Sequence, residues 1–340
     1  MARHTKSIMD SIKPERIPEA LLLQAAKKLV PAPRAEQESA AKRFLAGARS
    51  AGFDFQNFWG VIDRTAETPA VREVCLALIG PGRTAMVFVS APADKAHDPD
   101  PAPAERAACA LAASANLDPR LVALAQGLPE PDERWAIDAF RDAGFIHVGE
   151  LAYLRLDLRR RPPTPPPKTP KWPEGIVVRP VQDLSPASPD RQRLAHVLEH
   201  SYRDTLDCPE LCGLRDTEDV IESHIATGVF DPDRWMLAFD GSQAVGCILI
   251  SLIPDNGSAE LVYIGLTPEA RGRGLGSALL NDSIDRLNGS AAQSLVCAVD
   301  RRNIPALCLY DRLGFAEFSS RDAWVKPVGD PGPRNVHEEV

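Results

Sequence analysis

The sequence predicts an α/β protein of two ordinary domains, and three observations support this prediction. The chain has 340 residues, which is enough for two compact cores of normal size. An apolar strand, a glycine-rich turn and an amphipathic helix follow one another between Glu260 and Leu287. A proline-rich spacer lies near the middle of the chain, and the segments on its two sides are similar to each other.

The strand, turn and helix after Glu260 have the features of an anion-binding site. Residues 261–266 are nearly all apolar, as in a strand that is buried on both faces. The turn Arg271-Gly-Arg-Gly-Leu-Gly276 runs into a helix whose apolar residues, from Leu275 to Leu287, recur at helical spacing. Unpaired N–H groups at the positive end of a helix attract anions, and glycines let the backbone approach phosphate oxygens closely. We therefore expect a pyrophosphate site, with a plain strand-to-helix corner as the alternative.

The spacer Arg159–Pro173 contains seven prolines in fifteen residues. Proline cannot donate to a strand ladder or continue a helix, so we expect an extended, semi-rigid linker. A ligand for the proline-binding domain of another protein is the alternative. The predicted domains are residues 1–158 and 176–328, with a linker at 159–175 and a disordered tail at 329–340.

The two halves align when the first is shifted by 170 positions. This shift places Phe140 opposite Tyr310 and Glu133 opposite Asn303. Segments 72–78 and 84–89 look like the paired central strands of the same fold.

The first half differs chemically from the second. It has no Gly-x-Gly after its central strand, and Asp94, Asp98 and Asp100 stand where phosphates would have to bind. Like charges oppose binding at such a place. We expect the first half to retain the fold without the anion site.

Two motifs in the second half resemble the GCN5-related N-acetyltransferases, the GNAT superfamily. Arg271-x-x-Gly274-x-Gly276 matches the acyl-CoA signature of that family, and Asn303…Ala306…Tyr310…Gly314-Phe315 matches its next helix and the exit from it. The resemblance covers residues 176–328, less than half of the chain. It implies two tandem GNAT-like domains, each with a mixed, mostly antiparallel central sheet flanked by helices.

The resemblance also implies an activity, which is direct acetyl transfer from acetyl-CoA to a primary amine of a small molecule, without a metal. Glu260 stands eleven residues before Arg271, where many members carry the general base that acts through a water. An apolar strand should raise the pKa of this carboxyl, which suits a base; an edge cap or an ion pair is the alternative. Tyr310 would protonate the CoA thiolate, and a packing role is the alternative.

The remaining site residues follow from the same resemblance. Backbone amides near Leu266 and along the turn would hold the pantetheine and the pyrophosphate. Asn303 would also cap the next helix. The residues expected to bind the cofactor are Leu266, Thr267, Arg271, Gly272, Arg273, Gly274, Leu275, Gly276, Ser277 and Asn303.

The acceptor site is the least specified part of this hypothesis. In the family it lies between the first two strands, here at residues 194–230. Asp204, Asp207 and Glu210 are candidates for binding a cationic amine and Arg215 for an anionic group, although charged loop residues are usually solvated. His224 lies on an apolar helix face and is expected to be structural. A non-catalytic acyl-CoA-sensing module and an acetyltransferase of a protein or peptide amine remain as alternatives.

Composition narrows the partners and the location. The net charge of −8 and the lack of a basic cluster disfavour a nucleic-acid partner. No apolar run is long enough to cross a bilayer and the N-terminus lacks a signal-peptide core, so we expect a cytoplasmic protein without a membrane partner. Seven scattered cysteines predict reduced thiols. A monomer or a homodimer is expected.

Overall fold

The computed structural model describes residues 12–65, 67–92, 102–160 and 172–329. Within them the chain forms two compact units. Unit 1 consists of the described residues of Met1–Val148 and Arg321–Val340. Unit 2 consists of the described residues of Gly149–Ser320. The carboxylates Asp94, Asp98 and Asp100, most of the predicted linker and the predicted tail beyond Gly329 lie outside the described residues.

The described residues form twelve β-strands and eight α-helices. The strands are β1 (Glu15–Arg16), β2 (Phe58–Asp63), β3 (Ala70–Gly80), β4 (Thr84–Val89), β5 (Leu124–Gly127), β6 (Ile146–Asp157), β7 (Ile176–Pro180), β8 (Trp235–Asp240), β9 (Gln243–Ile253), β10 (Ser258–Leu266), β11 (Ser294–Asp300) and β12 (Ala316–Pro327). The α-helices are α1 (Leu22–Leu29), α2 (Gln37–Ser50), α3 (Pro103–Ala115), α4 (Arg134–Asp142), α5 (Pro189–Ser201), α6 (Thr217–Ile225), α7 (Leu275–Arg286) and α8 (Ile304–Leu313).

Unit 1 is a sheet with helices on both faces. Its strand order is β1-β2-β3-β4-β5-β12, and the pairs are antiparallel except for the parallel pair β4–β5. One apolar cluster includes the alanine-rich helix α3 and helix α4, and another includes α1 and α2. The predicted central strands of this half are confirmed as β3 and β4.

Unit 2 has the corresponding architecture. Its strand order is β7-β8-β9-β10-β11-β6, with β10–β11 as the parallel pair. Helices α7 and α8 belong to one apolar cluster, and helices α5 and α6 to another. The predicted apolar stripe of α7 is confirmed, because its residues are at most 3% exposed. They are Leu275, Leu279, Leu280, Ile284 and Leu287.

The two units share one strand order, which confirms the predicted repeat of a mixed, mostly antiparallel sheet. The last strand of each unit comes from the other half of the chain. Residues 151–157 of β6 pair with β11, and residues 324–327 of β12 pair with β5. The predicted boundaries follow the linker, whereas the compact units divide the chain within β6 and near the start of β12. A strand's apolar pattern shows which face is buried but does not identify the neighbour that receives its hydrogen bonds.

Two expectations from composition concern thiols and membranes. All seven cysteines lie in described segments and are free thiols. No helix in the described segments combines the length and the apolar character needed to span a bilayer.

Candidate active site

The central feature of unit 2 is a gap between two parallel strands. Strands β10 and β11 pair only from Ser258–Glu260 to Ser294–Val296, and beyond Glu260 the pairing stops. A register shift between Leu261 and Tyr263 bends β10 at this point. The gap therefore begins at Glu260, and the rest of β10 forms one of its walls.

The backbone of β10 presents polar groups to this gap. The N–H of Thr267 donates to the carbonyl of Val245 on the β9 side at 2.9 Å. Alternate residues of a strand direct their N–H groups to opposite edges, so those of Ile264 and Leu266 point away from β9 and towards the gap. This edge is suited to hydrogen bonding with an extended amide chain.

The glycine turn after β10 is open to a ligand. Gly272 and Gly274 have φ of +73° and +79°, and a Cβ added to either would meet no atom within 4 Å. The six N–H groups of residues 272–277 have no acceptor among the described residues. Helix α7 starts immediately after Gly274 without a side-chain cap. The positive end of the helix therefore faces open space, as an anion site requires.

The two arginines of the turn are engaged by the protein itself. Arg273 forms an ion pair with Asp240 at 2.7 Å. The Arg271 guanidinium donates to four backbone carbonyls, which are those of Ser201 (2.9 Å), Arg203 (2.8 Å), Asp204 (3.4 Å) and Leu266 (3.3 Å). No sequence pattern indicates these contacts, since Ser201 and Arg271 are 70 positions apart along the chain.

The other cofactor candidates lie around the same turn. Leu266 ends β10, and Thr267, the next residue, is 1% exposed. A Cβ on Gly276 would lie 3.7 Å from Leu266, so α7 packs close to the strand. Leu275 is in the core, and the carbonyl of Ser277 accepts a hydrogen bond from Asn281 at 2.8 Å.

Glu260 lies at the point where the strands separate. It is half-buried and stands opposite Ser251 on β9. Burial raises its pKa above the usual value of 4.5, as expected for a carboxyl on an apolar strand. A carboxylate with a raised pKa is a stronger proton acceptor than one in water.

Tyr310 lies on α8 and is 4% exposed, with its ring 5.3 Å from that of Phe315. Burial raises the pKa of its hydroxyl well above the usual range, so the group stays protonated and can donate. Asn303 caps the start of α8, because its side chain accepts from the N–H of Ala306 at 3.3 Å. The cap that the sequence predicted is present.

The buried thiol of Cys297 lies close to the titratable groups of the site. Burial first, and then the charges of Asp207 and Glu260, raise the pKa of Cys297 to about 12. The Tyr310 hydroxyl is affected in turn by Cys297 and Asp207. Cys297 follows Val296, which pairs with Glu260, and it shares an apolar cluster with Tyr310. Asp207 is hydrogen-bonded to Asp300 on the same strand. Sequence reasoning had assigned no role to this cysteine.

The acceptor candidates have different surroundings. Glu210 forms a double hydrogen bond with Arg302 at 2.7 and 2.8 Å, and Arg215 donates to Ser223 at 2.9 Å. Asp204 adopts a left-handed backbone with φ of 52°. Asp207 is exposed, its carboxylate accepts from the N–H of Asp300 at 2.8 Å, and desolvation by the surrounding protein raises its pKa.

His224 lies beneath this region on α6. Its ring stacks on Tyr263 at 5.6 Å, and the hydroxyl of Tyr263 makes a hydrogen bond with Ser201 at 2.8 Å. Burial, followed by the charge of Arg215, lowers the pKa of His224 to about 4. These contacts suit the structural role expected for this histidine.

Comparison with known proteins identifies this part of the chain. Residues 198–315 match the sequence model of the "Acetyltransferase (GNAT) family". The chain contains a GNAT acetyltransferase domain. A mycothiol acetyltransferase of Streptomyces bingchenggensis is 30% identical over 186 residues, which cover 51% of this chain and 56% of that protein. A mycothiol acetyltransferase of Actinosynnema mirum is 29% identical over 177 residues, which cover 52% of this chain and 55% of that protein. The chain therefore spans little more than half the length of these relatives.

The fold of the GNAT domain and of the whole chain has a counterpart among solved structures. A GCN5-related N-acetyltransferase from Sphaerobacter thermophilus superposes with a TM-score of 0.56 at 18% identity. The match covers 94% of this chain and 96% of that one. At this identity the likeness concerns the fold alone, and it includes both units.

Unit 1 has the strand order of the GNAT domain with different residues at the key positions. The last residue of β4 in the parallel pair β4–β5 is Met86, whereas that of β10 in the pair β10–β11 is Glu260. The N–H of Ser90 donates to the carbonyl of Val74 at 2.9 Å, as that of Thr267 does to Val245. Helix α4 carries Phe140 in the place of Tyr310, with its ring 5.0 Å from Phe145.

A buried ion pair lies beside the start of α3 in unit 1. Arg106 is fully buried and contacts Glu73 at 3.0 Å, and the Ser90 hydroxyl donates to the same carboxylate oxygen at 2.5 Å. The Ser90–Val74 hydrogen bond corresponds to the Thr267–Val245 hydrogen bond, so Glu73 stands where the GNAT domain has Ala244. Charged side chains thus lie at the first turn of α3, the helix that follows β4.

Proposed function

We propose that unit 2 transfers an acetyl group from acetyl-CoA directly to the primary amine of a small molecule. The observation that carries this proposal is the run of six N–H groups at residues 272–277 that have no acceptor among the described residues, next to the free edge of β10 and with open space at Gly272 and Gly274. A pyrophosphate fits the turn and an extended pantetheine fits the strand edge, because the first needs clustered donors and the second needs an open ladder. When bound, acetyl-CoA supplies an activated thioester to the gap.

Three tasks fall to residues of this chain. Glu260, with its raised pKa, takes the proton of the amine through a water. N–H groups of β10 near Leu266 face the thioester oxygen and stabilise the charge that develops there. The Tyr310 hydroxyl, which burial keeps protonated, donates its proton to the departing thiolate.

Asp207 is the acceptor residue that the geometry favours. Its carboxylate is held at the end of β11 by the N–H of Asp300, and because the side chain is exposed it can also receive an ammonium group. Glu210 is already paired with Arg302, so its contribution to acceptor binding should be smaller. The relatives named mycothiol acetyltransferase suggest a sugar-linked cysteinyl amine as the acceptor class.

The division of labour between the units is part of the proposal. Unit 2 is the catalytic domain, and unit 1 is a degenerate copy that binds no cofactor. The replacement of Glu260 by Met86 and of Tyr310 by Phe140, together with the buried Glu73–Arg106 pair, supports this assignment.

Calorimetric titration with acetyl-CoA and an acetyl-transfer assay test the proposal together. We expect one acetyl-CoA per chain and transfer of labelled acetyl to the mycothiol precursor that lacks its acetyl group, within a panel of small amines and peptides. Binding without turnover of any amine would favour the CoA-sensing alternative. Turnover of peptides alone would favour a protein acceptor.

A further inference from the structure

The segment Ser201–Glu210, here named the strap, is fixed at its first end by Arg271. The guanidinium donates to the carbonyls of Ser201, Arg203 and Asp204, at the point where α5 ends. It also donates to Leu266 on its own strand. A guanidinium has five N–H donors in a fixed plane, and here they are directed to backbone oxygens. Arg271 thus ties the end of α5 to the end of β10.

The other end of the strap is fixed to β11. The Asp207 carboxylate accepts from the N–H of Asp300 at 2.8 Å, and the Asp300 carboxylate accepts from the N–H of Cys208 at 3.0 Å. Arg302 contacts Asp300 at 2.6 Å and Glu210 at 2.7 Å. Two reciprocal hydrogen bonds and an ion pair therefore hold residues 207–210 at the end of β11.

The two attachment points lie on opposite sides of the gap. Arg271 follows β10, whereas Asp300 ends β11, and the strands are not paired beyond Glu260 and Val296. The strap therefore crosses the open end of the gap. Its two corners, Asp204 and Cys208, are non-glycine residues with φ of 52° and 47°. Such conformations persist only where surrounding contacts hold them.

We propose that Arg271 is a positioning residue that holds the strap, and with it Asp207, in place for the acceptor amine. This inference rests on the proposed function, because it assigns the acceptor to the gap that the strap crosses. It separates the roles of the turn: the backbone of residues 272–277 receives the donor, whereas the side chain of Arg271 shapes the acceptor site. Loss of the guanidinium then weakens acceptor binding and leaves acetyl-CoA binding nearly unchanged.

The test uses the full chain with Arg271→Gln and, as a matched control, Arg273→Gln. Both remove one positive charge from the same turn, but Arg273 contacts Asp240 instead of the strap. The first readout is alkylation of Cys208 by iodoacetamide, mapped by mass spectrometry, because this thiol lies on the strap and is 8% exposed. We expect alkylation to be about tenfold faster in Arg271→Gln, as the open population increases, and unchanged in Arg273→Gln.

The second readout is the Kd for acetyl-CoA, compared with the KM for the mycothiol precursor that lacks its acetyl group. In Arg271→Gln we expect the Kd to stay within about threefold and the KM to rise about tenfold, because a uniform binding contact to the acceptor is lost. Arg271→Lys, which keeps a donor, should recover part of the KM. A large loss of acetyl-CoA affinity with Cys208 still protected would overturn the proposal and make Arg271 a phosphate ligand.

Glu210→Gln tests the other attachment in case Arg271→Gln does not fold. It weakens only the pair with Arg302, at a side chain that is 36% exposed. Faster alkylation of Cys208 without a change in acetyl-CoA affinity would support the strap, and unchanged alkylation in both variants would refute it. Neither the alkylation nor the Kd needs an acceptor, so a failure of the proposed function, seen as no acetyl-CoA binding by the wild type, is distinguished from a failure of the strap.

Discussion

The two units have the same strand order but differ at the start of the helix that follows the central strand. In unit 2, six residues of β10 (261–266) extend beyond the last parallel pair, and the turn after them is open. In unit 1, three residues of β4 (87–89) do so, and the Glu73–Arg106 pair lies beside α3. The difference supports our proposal that unit 1 lost a ligand site when its free strand edge became shorter and charged side chains came to lie next to it, while its core stayed intact.

The largest effect should come from closing the open turn of unit 2. We expect Gly274→Glu to weaken acetyl-CoA binding by about a thousandfold or more, because the new side chain puts bulk and negative charge in the cradle. Gly289→Glu is the matched control, since Gly289 also has a left-handed φ (+82°) and open space at its Cβ. Calorimetry should give one site per chain in the wild type and in the control. Two sites per chain would show that unit 1 also binds acetyl-CoA and would contradict the proposed difference between the units.

Glu260→Gln removes the carboxylate at the last parallel pair of unit 2, where unit 1 has Met86. We expect kcat to fall by about two to three orders of magnitude with acetyl-CoA binding retained, since only the base is lost. The base must be deprotonated, so the wild-type kcat/KM should fall as the pH drops through the raised pKa of Glu260, above 4.5. That acidic limb should be absent from the residual activity of Glu260→Gln and intact in Asp255→Asn, a change at an exposed turn.

Tyr310→Phe copies the residue of unit 1 into unit 2. We expect kcat to fall about hundredfold, because the thiolate loses its proton donor, while the Kd for acetyl-CoA and the thermal stability change little. Phe140 shows that the corresponding site of unit 1 accepts a phenylalanine at 2% exposure. An unchanged kcat would show that Tyr310 is a packing residue. The difference between Tyr310 and Phe140 would then have no catalytic effect.

Arg106→Met tests the ion pair of unit 1. We expect the free energy of unfolding to fall by about 3 kcal/mol, because Glu73 is left buried without its partner. Acetyl-CoA affinity and stoichiometry should not change. Arg72→Met is the control, as its ion pair with Glu105 (2.6 Å) involves an arginine that is 54% exposed and should cost less than about 1 kcal/mol. Urea unfolding measures the free energy of unfolding of both variants. Equal losses in the two variants would show that burial of the Glu73–Arg106 pair does not increase its contribution to stability.

The sequence predicted the parts of the molecule that depend on local patterns. The apolar stripe of α7, the Asn303 cap and the opposition of Phe140 and Tyr310 follow from spacing and residue type, and the structure shows each of them. The glycine turn is open as the motif suggested, although whether it binds acetyl-CoA stays a prediction.

Contacts between distant segments could not be predicted in this way. The ties from Arg271 to Ser201 and from Asp300 to Cys208 join residues that are 70 and 92 positions apart. The sequence shows their charges but not their partners, since an arginine in a phosphate motif and an arginine that binds carbonyls look the same. The bend in β10 depends on an extra residue that only the pairing with β9 reveals.

The exchanged last strands have a consequence for how the protein can be divided. A cut in the proline-rich spacer would leave residues 151–157 on the first fragment, although their hydrogen bonds are made to β11 on the second. The second fragment would likewise retain residues 324–327, which complete the sheet at β5. Each fragment alone would expose an unpaired strand edge and be prone to aggregate. Cleaved chains would instead hold together as a complementing pair, so the halves are inseparable as folding partners even if the spacer is broken.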